Sequence, residues 1–352
     1  MYASFSVCAT EAYQRKYMDF LLANYEDLRL PYPFPVAFGF IASPIFMGRE
    51  CFLCLDDEGE AIGAFGYIHG TGEGNYEDRH VVQLQIAFLS KPYRHTRLFL
   101  RGLQALAKHL NELNEMVTEL VFWTGIDDYA IRLFDKFAER TRVGELAVGY
   151  RLTLRHLNAY TARFKRDSAS ILPKSSVCSS FKEEIAVGRL FPVTCNQDRE
   201  YARFVRYFLA HSDEFDERFL FFDAVAHMTV SLRESRMLLF DDGNGKLQGY
   251  IQYRMEAEGE TVFIESAILS PAYRSGIQFY KGLAEWTNRV MEEQVEIHRV
   301  RFHVRADHAY LIRLYSKFAR KIEETESRGR AELIFETAFD ELRSYLRADD
   351  TK

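Results

Sequence analysis

Apolar residues recur at helical spacing over Glu11–Asn24 and again over Asp198–Ala210, each time behind a short strand-like stretch, Ser4–Cys8 and Leu190–Thr194. That spacing gives each segment one apolar stripe, so both predict amphipathic helices laid on a core. A second helical stretch follows at Asp216–Leu232, whereas Pro31-Tyr-Pro-Phe-Pro35 breaks the matching part of the first half. Strand patterns then alternate with turn signals, Asp56-Asp57-Glu58-Gly59 in one half and Asp241-Asp242-Gly243-Asn244-Gly245 in the other. Third strands at Val81–Leu89 and Thr261–Leu269 lead into long helices at His95–Leu113 and Ile277–Glu293. Strands at Leu120–Thr124 and Arg299–Arg305, a short helix, and final strands at Glu145–Leu154 and Ala331–Phe339 close each half. This order predicts an α/β fold of two domains, each a mixed, mostly antiparallel sheet flanked by helices.

The duplication is written in the residues as well as in the pattern. Tyr93-Arg94 followed by Arg101-Gly102-Leu103 returns 180 positions later as Tyr273-Arg274 and Lys281-Gly282-Leu283. Ile131-Arg-Leu-Phe-Asp-Lys-Phe-Ala138 returns 181 positions later as Ile312-Arg-Leu-Tyr-Ser-Lys-Phe-Ala319, with six identities in eight. Gly63 matches Gly249 at an offset of 186, which requires about six extra residues in the first copy, and Gly70-Thr-Gly-Glu-Gly74 is the place for them. The expected domains are residues 1–157 and 185–345, joined by a Ser-, Lys- and Arg-rich linker at 158–184.

A net charge of −6 and an isoelectric point near 6.0 argue against a nucleic-acid partner. No run reaches the ~18 apolar residues of a membrane span, and no basic segment followed by an apolar one opens the chain, so a cytoplasmic protein without a membrane partner is expected. Five cysteines, an odd number, read as reduced thiols. Cys51-Phe-Leu-Cys54 has CxxC spacing but lies in a strand, where positions three apart face opposite sides, so no metal site is expected there. His298, His303 and His308 form no metal-ligand spacing either.

A helix N-terminus offers unpaired N–H groups, and glycine lets the main chain approach a ligand closely, a combination suited to a pyrophosphate. The second copy opens its long helix with Arg274-Ser275-Gly276-Ile277-Gln278, while the first has Arg94-His95-Thr96-Arg97, without glycine. The stretch Ile264-Glu-Ser-Ala-Ile-Leu-Ser-Pro-Ala-Tyr-Arg274 resembles the central strand and turn of GNAT-superfamily acetyltransferases, and the octapeptide resembles that family's second signature. Gln278 departs from the pattern, since a second small residue is expected there, and the turn is one residue short.

The resemblance implies a tandem GNAT-like N-acetyltransferase with acetyl-CoA as co-substrate and a small-molecule amine or amino-acid-like acceptor. It implies cofactor contacts from Leu269, Arg274, Ser275, Gly276, Ile277, Gln278 and His308, with Glu265 as base and Tyr315 as acid. The first copy has Gln85 and Phe134 at the two chemical positions, so it is expected to be a silent partner. Asp213, Glu214, Asp216 and Glu217 suit a cationic amine, although a solvated helix start explains them equally well. A non-catalytic acyl-CoA-binding or scaffolding protein, and transfer of an aminoacyl or long-chain acyl group, stay open. So does the assembly: an internal pseudo-dimer, with the chain a monomer or a homodimer.

Overall fold

A computed structural model of the chain describes residues 3–47, 50–113, 117–164, 188–215, 219–256, 259–274, 276–293, 296–327 and 329–349. The chain divides into two compact units, Met1–Ser179 and Ser180–Lys352. The first runs β1 (Ser4–Val7), α1 (Glu11–Ala23), α2 (Tyr25–Leu28), α3 (Phe34–Phe46), β2 (Cys51–Leu55), β3 (Ala61–His69), β4 (Val81–Leu89), α4 (Leu98–Glu112), β5 (Glu119–Gly125), α5 (Asp128–Phe134), β6 (Glu139–Val143), β7 (Ala147–Thr153) and α6 (Leu154–Ala162). The second runs β8 (Phe191–Thr194), α7 (Asp198–Phe215), α8 (Phe221–Ser231), β9 (Arg236–Asp241), β10 (Leu247–Met255), β11 (Thr261–Leu269), α9 (Gly276–Glu292), β12 (Arg299–Arg305), α10 (Ala309–Tyr315), β13 (Arg320–Ser327), β14 (Arg330–Ala338) and α11 (Phe339–Asp349).

Each unit holds one seven-stranded sheet, in the order β1-β2-β3-β4-β5-β7-β6 and, identically, β8-β9-β10-β11-β12-β14-β13. All neighbours are antiparallel except β4–β5 and β11–β12. Those two parallel pairs need a crossover, and the long helices α4 and α9 supply it. In the first unit α4 and α6 pack on Phe52, Phe65, Tyr67, Phe122 and Tyr150. In the second, α9 and α11 cover Tyr253, Ile264, Phe302 and Phe335, with Trp286 fully buried among them. The opposite faces of β3 and β10 are covered by α1 with α3 and by α7, respectively.

The repeated residues have physical duties. A side chain on Gly63 would strike Leu89 and the Phe88 carbonyl, and one on Gly249 would strike the Ile268 carbonyl at 2.5 Å. Glycine at both places lets β3 close on β4 and β10 on β11. The matched turns are also alike: Asp56 Oδ1 accepts from the N–H groups of Glu58 and Glu60, and Asp242 Oδ1 from those of Asn244 and Lys246. Residues 70–80 link β3 to β4 where only 256–260 link β10 to β11, which places the six-residue surplus in the glycine-rich loop.

Several elements differ from the pattern-based expectation. The octapeptides leave the helix halfway, at Phe134 and Tyr315, and their second halves form the turn into β6 and β13. Those two strands carry no apolar alternation because they are sheet edges exposed almost throughout, and their charge protects an edge from pairing. The proline-rich stretch does not abolish a helix in the first unit. Pro35 falls in the first turn of α3, where a missing N–H costs nothing. The helix α6, which carries the fully buried Leu157 into the first core, runs on to Ala162 with Thr161 buried.

Cys51 and Cys54 are buried on β2, and the described cysteines are free thiols. Contact with Cys8 and then burial hold the Cys51 thiol far above its ordinary range, and burial pushes Cys54 up to about 12, so neither is a reactive thiolate. Among the described residues no cluster suited to a metal ion occurs, and no helix is long and apolar enough to cross a membrane.

The first unit keeps one acid-sensitive cluster. Tyr67 donates to Glu50 Oε2 at 2.5 Å, His109 Nε2 lies 3.0 Å from the Tyr67 hydroxyl, and His69 Nε2 lies 4.0 Å from Glu50 Oε1. Burial pushes the Glu50 carboxyl up, but the hydrogen bonds from His109 and Tyr67 and the two histidine charges outweigh it, and its pKa is lowered from 4.5. A lowered folded-state pKa stabilises the fold above the unfolded value and loses that stabilisation as pH falls through the folded one. Urea midpoints are therefore expected to fall below about pH 4.5, and Glu50→Gln should flatten that acid limb. An acid limb unchanged in Glu50→Gln would contradict this assignment.

Candidate active site

Strands β11 and β12 pair in parallel only from Thr261–Arg299 to Ile264–Phe302, and then part. At the same point the β10–β11 register shifts: Gln252 stands opposite Ser266 and Tyr253 opposite Ile264. Glu265 is therefore the extra residue of a β-bulge at the mouth of the gap, and a bulge turns its side chain out of the regular alternation. The first unit has the same geometry. Its parallel pairing ends at Gln83–Val121, and Gln85 is the extra residue between Leu84 and Ile86.

The Glu265 carboxylate is held by three side-chain donors. Arg254 Nε lies 2.9 Å from Oε1, Gln252 Nε2 donates to Oε2 at 3.0 Å, and the Ser235 hydroxyl donates to the same oxygen. Gln252 is fully buried and is fixed in turn by the Ser266 hydroxyl at 2.9 Å. The main-chain carbonyl of Glu265 accepts from His303 Nε2 at 2.9 Å, and His303 Nδ1 faces Glu332 Oε2 at 2.6 Å.

The first unit has the same backbone without this network. Positions Gln252, Arg254 and Ser266 correspond to Gly66, Ile68 and Ile86. A Cβ on Gly66 would lie 2.4 Å from the Tyr17 hydroxyl and 2.7 Å from Pro44, so α1 and α3 fill the place that Gln252 takes in the second unit. The polar cluster around Gln252 in one copy is replaced by close packing of Tyr17 and Pro44 on Gly66 in the other.

Tyr315 closes α10 and lies half-buried against Phe302, the last residue of β12 paired with β11, with ring centroids 4.5 Å apart. Phe279, Phe318 and Phe335 complete its surroundings at 6.0–6.3 Å. Burial pushes its pKa up to about 12, so the hydroxyl stays protonated at neutral pH. Phe134 occupies the same cage in the first unit, against Phe99, Phe122, Phe137 and Tyr150. There the hydroxyl has moved to Tyr150, which donates to Asp135 Oδ1. Glu265 sits at the bulge where β11 and β12 part, and Tyr315 packs on Phe302, the β12 residue at that point.

The cofactor positions expected from sequence take distinct structural roles. Arg274 Nε donates to the Leu269 carbonyl at 2.7 Å, and its guanidinium pairs with Glu214. Arg94 makes the same bond to Leu89 at 2.8 Å and reaches the Asp27 carbonyl, so the repeated Tyr-Arg arginine closes the turn and ties it to α2 in the first unit and to α7 in the second. His308 caps α10 by accepting from the Leu311 N–H, as Asp127 caps α5. Gly276 begins α9, Ile277 is exposed and Gln278 half-buried. Ser275 lies outside the described residues, as do Asp216 and Glu217. Burial pushes the Glu214 carboxyl up, but His211 and Arg274 more than compensate, so its charge is already paired within the unit.

Sequence reasoning did not single out Ser235, Gln252, Arg254, Ser266 or His303 as site residues. The comparison of copies that exposed Glu265 contained the signal for the last four, which face Gly66, Ile68, Ile86 and Trp123 in the first copy.

The two sheets, with their shared strand order, single parallel pair and bulge at the parting point, are two tandem α/β domains of one fold. No family model matches the chain, and no curated protein does. Solved structures similar to part of it include a chimeric spermidine N-acetyltransferase from Vibrio cholerae, at 11% identity over 44% of this chain and 97% of that one, TM-score 0.35. Another is a putative acetyltransferase from Acinetobacter baylyi, at 15% identity over 44% of this chain and 96% of that one, TM-score 0.36. A GNAT-family acetyltransferase from Staphylococcus aureus matches at 13% identity over 44% and 99%, TM-score 0.35.

Proposed function

We propose that the protein is an acetyl-CoA-dependent N-acetyltransferase acting on a small amine or amino-acid-like acceptor, with chemistry in the second unit. The observation that carries this reading is the Glu265 carboxyl group, set by a bulge at the parting of two parallel strands and anchored by Arg254, Gln252 and Ser235. The first unit keeps the shape but has Gln85, Gly66 and Ile68 where the second has Glu265, Gln252 and Arg254, which fits a silent copy.

Past Ile264 the β11 edge that faces β12 leaves the ladder, and such an edge suits an extended chain bearing secondary amides. The start of α9 at Gly276, seventeen residues long, suits a phosphate. These features fit an acyl-CoA, which when bound supplies the activated acyl group as a thioester. Glu265 takes the proton from the attacking amine, and Tyr315, protonated up to about pH 12, donates one to the departing sulfur. The rest of the rate enhancement lies in holding the two reactants in line. The buried free thiols agree with a reducing, cytoplasmic setting.

Thermal melting of the full chain with about 1 mM acetyl-CoA is expected to raise the unfolding midpoint, because a ligand of the native state stabilises it by mass action. An unchanged midpoint would overturn the reading.

A further inference from the structure

We propose that His303 is a proton-controlled latch on the strand edge at which the acyl donor enters; the proposal rests on the acyl-CoA reading above. The parallel ladder ends at Ile264–Phe302, so the Glu265 carbonyl has no strand partner on β12. The His303 side chain takes that partner's place, with Nε2 at 2.9 Å. On the other side of the ring, Nδ1 stands 2.6 Å from the Glu332 carboxylate.

A carbonyl and an ionised carboxylate can only accept, so the ring satisfies both contacts only as an imidazolium, with an N–H on each nitrogen. When one proton leaves, the charge-assisted contact to Glu332 retains the other. Nε2 then turns a lone pair toward the Glu265 carbonyl, the contact breaks, and the carbonyl is released. The groups around the ring act in both senses. Glu332 on β14 and the Glu265 carboxylate on β11 favour the cation. Arg254 on β10 lies over Phe263, the ring on which His303 stacks, and opposes it. Arg301 and Arg305 on its own strand also oppose it, although Arg301 is paired with Glu256 and Glu336, and Arg305 stands directly opposite Glu332.

The ligand this edge would take is an extended arm with a secondary amide N–H, such as the pantetheine of an acyl-CoA, donating to the carbonyl that His303 occupies. Trp123 holds the equivalent place in the first unit, and its indole, with a single N–H and no second ring nitrogen, cannot bridge two acceptors.

The test has two arms. In the first, carbon and nitrogen NMR of the histidine side chains of the unliganded full chain follows His303, assigned by the resonance missing in His303→Gln. Both ring nitrogens are expected to be protonated at mildly acidic pH, and Glu332→Gln should move the titration to lower pH. A neutral ring throughout, or a titration unmoved by Glu332→Gln, would overturn the latch. In the second, calorimetric binding of acetyl-CoA is compared with His303→Ala across the same pH range. The wild-type affinity is expected to rise with pH by about tenfold per unit below the histidine titration, for one proton released, over and above the ligand's own slope seen in His303→Ala. Identical slopes in the two proteins would sink the latch alone. No binding by either protein at any pH would sink the acyl-CoA reading, and with it the latch's ligand.

Discussion

Glu265→Gln is expected to lower kcat by about 10²–10⁴-fold, the range of a general base, while leaving the unfolding midpoint nearly in place. The substitution keeps volume and leaves one oxygen to accept from Ser235 and Gln252. It removes the negative charge and the partner of Arg254, whose side chain is 39% exposed and can turn to water. Chemistry should therefore suffer far more than stability. Tyr315→Phe, which deletes one hydroxyl from an aromatic cage that already tolerates Phe at position 134, should reduce kcat through the leaving-group proton. The decisive comparison is Gln85→Ala, at the matching bulge of the first unit. Steady-state kinetics with acetyl-CoA and a panel of amines would refute the division of labour if Gln85→Ala cost as much turnover as Glu265→Gln, or if Glu265→Gln cost none.

Trp286→Ala should destabilise the second unit by about 3–5 kcal/mol, the usual cost of removing a large buried aromatic. Trp286 has no exposed surface and packs edge-on against Tyr253 and Phe339, bridging α9 to the central sheet and to α11. The chain has only two tryptophans, and the other, Trp123, is 48% exposed on the first unit. In Trp286→Ala the remaining fluorescence therefore reports the first unit alone, while far-ultraviolet circular dichroism reports both. A urea titration is expected to show circular dichroism changing at lower denaturant than fluorescence, with Trp286→Phe largely restoring coincidence. Coincident, unshifted transitions in the alanine variant would show that this packing contributes little.

The strand–helix order and the duplication were legible because both depend on local patterns. Val81–Leu89, Thr261–Leu269 and Arg299–Arg305 agree with the structure residue for residue, since a buried strand bounded by turns announces both its ends. The edge strands β6 and β13 were not legible, because an exposed edge is selected for charge and not for alternation. Glu265 and Tyr315 stood out by comparison with Gln85 and Phe134. Arg274 was read as a ligand residue, yet its bonds to Leu269 and Glu214 show what its repetition in Arg94 already hinted, a turn held shut.

By itself the sequence determined that one α/β unit occurs twice and that only the second copy retains an ionisable carboxylate on its central strand. Periodicity and repetition are properties of the chain, so no fold was needed to see them. Only the tertiary structure decided what surrounds that carboxylate. Gln252 and Arg254 come to it from β10 and Ser235 from the residue just before β9, and Pro44 and Tyr17 close the same space in the first unit. The bulge that aims Glu265 and the His303 bond across the parted strands are likewise matters of register between distant segments. Register is set by packing of the whole sheet, and no local stretch of sequence carries it.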